Sequence, residues 1–183
     1  MKQFIREIVP VIIGILIALF INNWNEDRKD KKYLSQMFSS IEKELKESAA
    51  DIEKTIPKQL ASVDSIQKYL TNEEFSIYDM ITKSNGIHAP SIKTNSWNAM
   101  ANAKIELIAY ERLSALADIQ ERKENLEMRL ERQMDFLLQN IEKTDKIKKE
   151  MLMMTILDIV NAEKELHAEI EEILKNEPAN NTD

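Results

Sequence analysis

Residues 38–70 read "FSSIEKELKESAADIEKTIPKQLASVDSIQKYL". Phe38, Leu45, Ile52, Gln59 and Ile66 fall seven residues apart, with Gln59 filling the one polar gap. A second row, Ala49, Ile56, Val63 and Leu70, with Ile41 beside it, widens the stripe into a face suited to a core. Glu42→Lys46 is spaced i,i+4 and supports the solvated side. The spacing predicts one long helix from about Glu26 to Leu70, kinked at Pro57, where a backbone donor is lost and the ring meets the preceding turn. Upstream, Asp27→Lys31 adds another i,i+4 pair.

Amino-terminal to this helix the chain turns apolar. Ile8 to Ile21, "IVPVIIGILIALFI", carries no charge, and Phe4 to Trp24 extends it to 21 residues, about 31 Å at helical rise. Arg6 can snorkel to headgroups at one edge. Asn22, Asn23 and Trp24 suit the opposite interface, where an indole is half buried and its N–H stays wet. The segment therefore reads as a single-pass transmembrane signal anchor over 1–25. A cleaved signal peptide would need a small-x-small site, and "LFINNWNE" has none. A buried soluble helix is the remaining alternative. Pro10 and Gly14 are tolerated in membrane helices, and Gly14 with Ala18 makes one small-xxx-small pair. The basic head before the apolar run favours translocation of the carboxy-terminal domain, towards the periplasmic side of a bacterial inner membrane. Arg28, Lys29, Lys31 and Lys32, counted by the positive-inside rule, argue the reverse.

Downstream, residues 71–109 form a reversal region rich in turn chemistry, with Gly86, Pro90 and clustered Ser, Thr and Asn. Thr71 and Glu74 resemble a capping box for a short helix to about Thr82. A further helix starts near Ser96 and Trp97, with Thr94, Asn95 or Ser96 as cap. The plain reading of Trp97 is a packing anchor that seats this short helix on the long ones. A second long helix is expected over 110–149, striped by Leu113, Leu116, Leu126, Leu130, Met134, Leu137 and Ile141. A last helix over about 152–175 carries Leu152, Ile156, Ile159, Leu166, Ile170 and Ile173. Residues 177–183 read as a disordered tail. Neither Gly nor Pro marks the break between the last two helices, which is sought around 145 to 160. The methionines of "MLMMT", 151–155, read first as core filler and second as an adaptable contact surface.

The fold class is thus all-α: one amino-terminal transmembrane helix followed by long antiparallel helices over 26–176, as a helical hairpin or bundle of coiled-coil type. Two glycines and four prolines in 183 residues leave little turn material for a β or α/β fold. The net charge is −7; beyond residue 25 there are 23 basic against 31 acidic residues, −8, a sign that repels phosphate backbones and argues against nucleic acid as a partner. There is no cysteine, and the two histidines, His88 and His167, lie far apart. They suit a turn and a surface better than a metal site. Glu42, Glu44 and Glu47, and Glu169, Glu171 and Glu172, read as solvated faces, and nothing marks a buried carboxyl of the kind acid–base chemistry needs. No phosphate loop or nucleophile elbow is present. Catalytic, cofactor and metal residues are therefore expected to be absent.

The motif "ALFINNWNE" at 18–26 resembles the hallmark of an uncharacterised family of bacterial membrane proteins, in which the apolar helix ends Ala-Leu-x-Ile/Val-Asn-Asn-Trp-Asn-Glu. "SWNAMANAKIELIAYERLSAL" at 96–116 is a looser match, with Ala103 and Lys104 where that family has a turn glycine, so a continuous helix is admissible there. The resemblance implies a membrane-anchored helical domain and brings no catalytic residues. The expected function is a non-enzymatic structural or interaction protein, a homo-oligomer or a subunit of a membrane complex, with the lipid bilayer as its other partner. The alternative is an extracytoplasmic ligand-sensing module in which the 71–109 region caps a pocket between helices; against it, no second span is visible after residue 25.

Overall fold

The computed structural model describes residues 2–176, with side chains from Ile8 onward, so the expected disordered tail at 177–183 lies outside the described residues. All regular structure among the described residues is helical: α1 (Lys2–Lys68), α2 (Ile77–Lys83), α3 (Asn95–Lys104), a 3-10 turn at Ile105–Leu107, α4 (Tyr110–Asn140) and α5 (Lys146–Asn176). The chain divides into two compact units at Ser40 and Ile41.

The first unit is the amino-terminal part of α1. Its apolar run from Val9 to Ile21 is exposed throughout: Val9, Leu16, Phe20 and Ile21 are 45–72% exposed. The window of highest hydropathy has none of its residues buried, and among the described residues α1 is the one helix long and apolar enough to cross a membrane.

The second unit is a bundle of the rest of α1, α4 and α5. Two cross-helix pairs fix its directions. Arg122–Glu165 and Arg129–Asp158 join α4 to α5 with partner numbers falling as α4 rises, so the two helices are antiparallel. Gln59–Glu163 and Glu53–His167 do the same for α1 and α5. Ile41, Leu45, Ala49, Ile52 and Ile66 of α1 are buried, as are Leu116, Leu126 and Leu137 of α4 and Leu152, Ile156, Ile159, Leu166 and Ile170 of α5. Each such leucine or isoleucine contributes about 1.5–3 kcal/mol by leaving water. At one end, Ile77 and Met80 of α2 join Ile66, Leu137 and Leu152 in a single cluster. At the other, α3 inserts Trp97 and Met100, 7% and 0% exposed.

Several local expectations are corrected. The long helix, one element through Pro57 as expected, ends at Lys68, short of Leu70. The capping box is Ser76 with Asp79, and Thr71 takes no part: Asn72 Oδ1 accepts the Glu74 N–H at 2.8 Å, which makes a turn there. The second long helix ends at Asn140, short of 149, and α5 starts at Lys146, ahead of 152. Asp145 sets that start, because its Oδ1 accepts the Lys148 N–H at 3.0 Å in the manner of a helix cap. The loop between them is used twice, since its Lys143 and Ile141 carbonyls accept the N–H groups of Ile77 (3.0 Å) and Tyr78 (2.8 Å) at the start of α2. At 103–109 the helix does not continue; α3 stops at Lys104 and a 3-10 turn replaces the glycine. Met134 of the α4 stripe is 42% exposed, and Met151 and Met154 are 42% and 67% exposed and face solvent, whereas Met153 is partly buried and packs against the core as expected.

Candidate functional site

Three polar arrangements stand out from the bundle. The first joins α1 to the extended segment before α3. Glu44, Ser48 and Asp51 lie on one face of α1 by their spacing of four and three. Asp51 Oδ2 accepts the Ser91 N–H at 2.7 Å, and Ser48 Oγ accepts the Lys93 N–H at 2.9 Å. The Glu44 carboxylate accepts the Ser96 N–H at 3.0 Å and the Ser96 hydroxyl at 3.0 Å. In extended backbone alternate N–H groups point the same way, which is why positions 91 and 93 are both read while Ile92 is not. Pro90 helps by holding Ala89 out of the helical region. Glu44 also supplies the negative charge that the start of α3 favours, for Thr94 occupies the cap position without a side-chain hydrogen bond to the helix backbone. Glu47 adds an ion pair to Lys93 at 2.6 Å. That hydrogen bond and the lysine charge hold the Glu47 carboxyl below its usual range and raise Lys93 above its own. Glu44 and Glu47 thus anchor a segment and are not simply a solvated face. Glu44→Ala is expected to destabilise the domain by about 1–2 kcal/mol through the lost cap, measured by denaturant unfolding of the full chain in detergent; an unchanged midpoint would count against the cap.

The second arrangement is buried between α1 and α5. Glu163 is 0% exposed and Gln59 4% exposed. Gln59 Nε2 donates to Glu163 Oε1 at 2.7 Å and to the His88 carbonyl at 3.0 Å, tying three elements with one amide. Burial pushes the Glu163 carboxyl up to about 7, against the Gln59 hydrogen bond, which lowers it. Next to this pair lies a cavity of about 30 Å³ lined by Gln59, Ser62, Ser84, His88 and Gln133 with apolar neighbours, space on the scale of a single water. The 84–88 turn that covers it depends on Asn85 and Gly86, both in the left-handed region at φ 62° and 98°. A buried, uncompensated carboxyl is contrary to the sequence-based expectation.

The third is Lys149, also 0% exposed. Its Nζ donates to the carbonyls of Tyr69 (3.2 Å) and Asn72 (2.6 Å), just past the end of α1. Burial lowers its pKa, partly offset by Asp145 and Glu73.

The residues expected at a membrane interface fall in the first unit. Asn22, Asn23 and Trp24 are exposed, Trp24 to 62%, and Asn22 Nδ2 donates to Glu26 Oε1 at 3.2 Å. The Arg6 side chain lies outside the described side chains. Trp97 belongs to the second unit, beside Ile41, Leu45, Leu116 and Ile119. The histidines are apart. The His88 ring Nε2 is 3.1 Å from the Ser84 carbonyl, while His167 Nε2 is 3.4 Å from Glu53 Oε1. Sequence reasoning missed Glu163, Lys149 and Gln133 as buried groups. The signal was there, since Glu163 fills the gap between Ile159 and Leu166 at helical spacing, as Lys149 precedes Leu152 by three.

Comparison with curated proteins finds no match, and comparison with solved structures finds none either. Across residues 7–90 the chain matches the model of a family of unknown function (DUF6090), in agreement with the resemblance to an uncharacterised domain family.

Proposed function

We propose that the chain is a non-enzymatic, membrane-anchored interaction protein, self-associating or a subunit of a membrane complex. The observation that carries this reading is the apolar run of α1, charge-free from Ile8 to Ile21 and exposed from Val9 onward. So much uncovered apolar surface is unstable in water and is what a bilayer accepts. Arg6, Asn22, Asn23 and Trp24 are its interface residues. Support for a protein partner comes from α5, where Ile147, Met151 and Met154, spaced four and three, form one exposed apolar face (67%, 42% and 67%). The acidic balance beyond residue 25 disfavours nucleic acid. Trp97 is the packing anchor of α3.

Full-length protein is expected to stay with alkali-washed membranes. Leu16→Arg should shift insertion by about 3–4 kcal/mol, enough to move a large part of the chain to the soluble fraction. Recovery of the unaltered chain in the soluble fraction without detergent would refute the anchor. The absence of cysteine makes sidedness directly measurable. A single cysteine at the exposed Ser35 is expected to react with a membrane-impermeant maleimide from the periplasmic side, and protection there would reverse the orientation. Sedimentation of detergent-solubilised protein reads the self-association arm.

A further inference from the structure

We infer that Glu163 is a buried proton-binding site, occupied in the folded protein, and that its neutral carboxylic acid forms a two-bond ring with the Gln59 carboxamide across the α1–α5 interface. The hydrogen bonding of this pair leads there. Gln59 Nε2 has two acceptors, Glu163 Oε1 and the His88 carbonyl, which fixes the amide orientation. Two atoms of the same pair are then left buried without a partner, Gln59 Oε1 and Glu163 Oε2. Both are acceptors if the carboxyl is ionised, and two unsatisfied buried acceptors are costly. A single proton on Glu163 Oε2 converts it into a donor, and the unpartnered Oε1 of the amide whose N–H already binds this carboxyl is an acceptor for it. Every polar atom of the pair is then satisfied, and the pair carries no buried charge.

The charged groups around it are engaged elsewhere. On α1, Glu53 faces His167 of α5 at 3.4 Å. On α4, Arg122 pairs with Glu165 and Glu169, and Lys123 with Glu127 at 3.0 Å. On the covering turn, the His88 ring lies against the Ser84 carbonyl. The elevated pKa of Glu163 has burial as its main cause, with no charged side chain among the causes. Because Gln59 also holds His88, loss of the proton bears on the attachment of the 84–88 turn as well as on the helix pair.

The sign is fixed by linkage. A carboxyl whose pKa is higher folded than unfolded contributes stability below its unfolded value, near 4.5, and loses it as pH rises through about 7. The test uses the full chain in detergent, wild type beside Glu163→Gln, whose amide reproduces the protonated acid's donor and acceptor. From pH 5 to pH 8 the wild-type folding constant is expected to fall relative to that of the variant on the order of a hundredfold. The variant should match wild type near pH 5 and exceed it at pH 8. Histidine changes charge in the same range, and the comparison with the variant removes that contribution. Should the variant not fold, infrared spectroscopy of wild type decides: a protonated-carboxyl band present at pH 6 and gone by pH 8.5 supports the site. Absence of that band at pH 6, or a variant no more stable than wild type at pH 8, overturns the proposal.

Discussion

Trp97→Ala is expected to remove about 3–5 kcal/mol of folding stability, the range for deleting a large buried aromatic. The indole is 7% exposed and lies with Ile41 and Leu45 of α1 and Leu116 and Ile119 of α4 around a gap of only about 10 Å³. Those neighbours sit on two long helices fixed along their lengths by other contacts, so they cannot close over the hole, and the cavity term adds to the lost transfer energy. Circular dichroism during denaturant unfolding of the full chain in detergent measures this. Trp97→Phe should cost less than half as much. A loss below about 1 kcal/mol for the alanine variant would show that α3 is seated by something else.

Lys149→Met carries the other large effect, about 2–4 kcal/mol, and by a different route. Methionine keeps the unbranched stem and the volume, so packing around the side chain is nearly conserved. What disappears is the ammonium that serves the Tyr69 and Asn72 carbonyls. Those oxygens lie at the carboxy-terminal, partially negative end of α1, where a cation is favoured. Without it each keeps only a long backbone hydrogen bond, from the Asn72 N–H at 3.2 Å and the Phe75 N–H at 3.3 Å, so two charge-assisted bonds are lost against the relief of no longer burying a charge. Faster amide exchange over residues 69–75 should accompany the loss, and wild-type stability in Lys149→Met would exclude the capping role. Trp97 and Lys149 contact different ends of the bundle, so the two losses should add.

Legibility in the sequence depends on which forces act locally. The α1 stripe was readable because seven-residue spacing needs only one helix to be recognised. The apolar run of α1, long enough to cross a membrane, was readable because such a stretch is continuous along the chain. The α4–α5 break was not, since Asp145 caps α5 with no Gly or Pro nearby, and the loop owes its shape to the carbonyls it lends to α2. Ser76 with Asp79 was overlooked in favour of Thr71 with Glu74, though the true box has its donors and acceptors confirmed in both directions. Asp79 is held below its usual pKa by the Ser76 hydroxyl and backbone N–H, as a working cap should be. Glu44, Glu163 and Lys149 were hidden for a common reason. Each has a hydrogen-bond partner 52, 104 or about 80 residues away. Composition cannot reveal such partners. Only the gap positions in the apolar stripes hinted that polar side chains were being taken inside.

The stretch from Ser91 to Ser96 is held mainly through its main chain by Asp51, Ser48 and Glu44. Recognition of that kind is blind to side-chain identity. Mutational drift at 91 is therefore nearly free, proline excepted, because any other residue offers the same amide, while at 93 it forfeits only the exposed ion pair with Glu47. The burden of inheritance falls instead on the three helix positions, whose oxygen atoms no apolar replacement supplies.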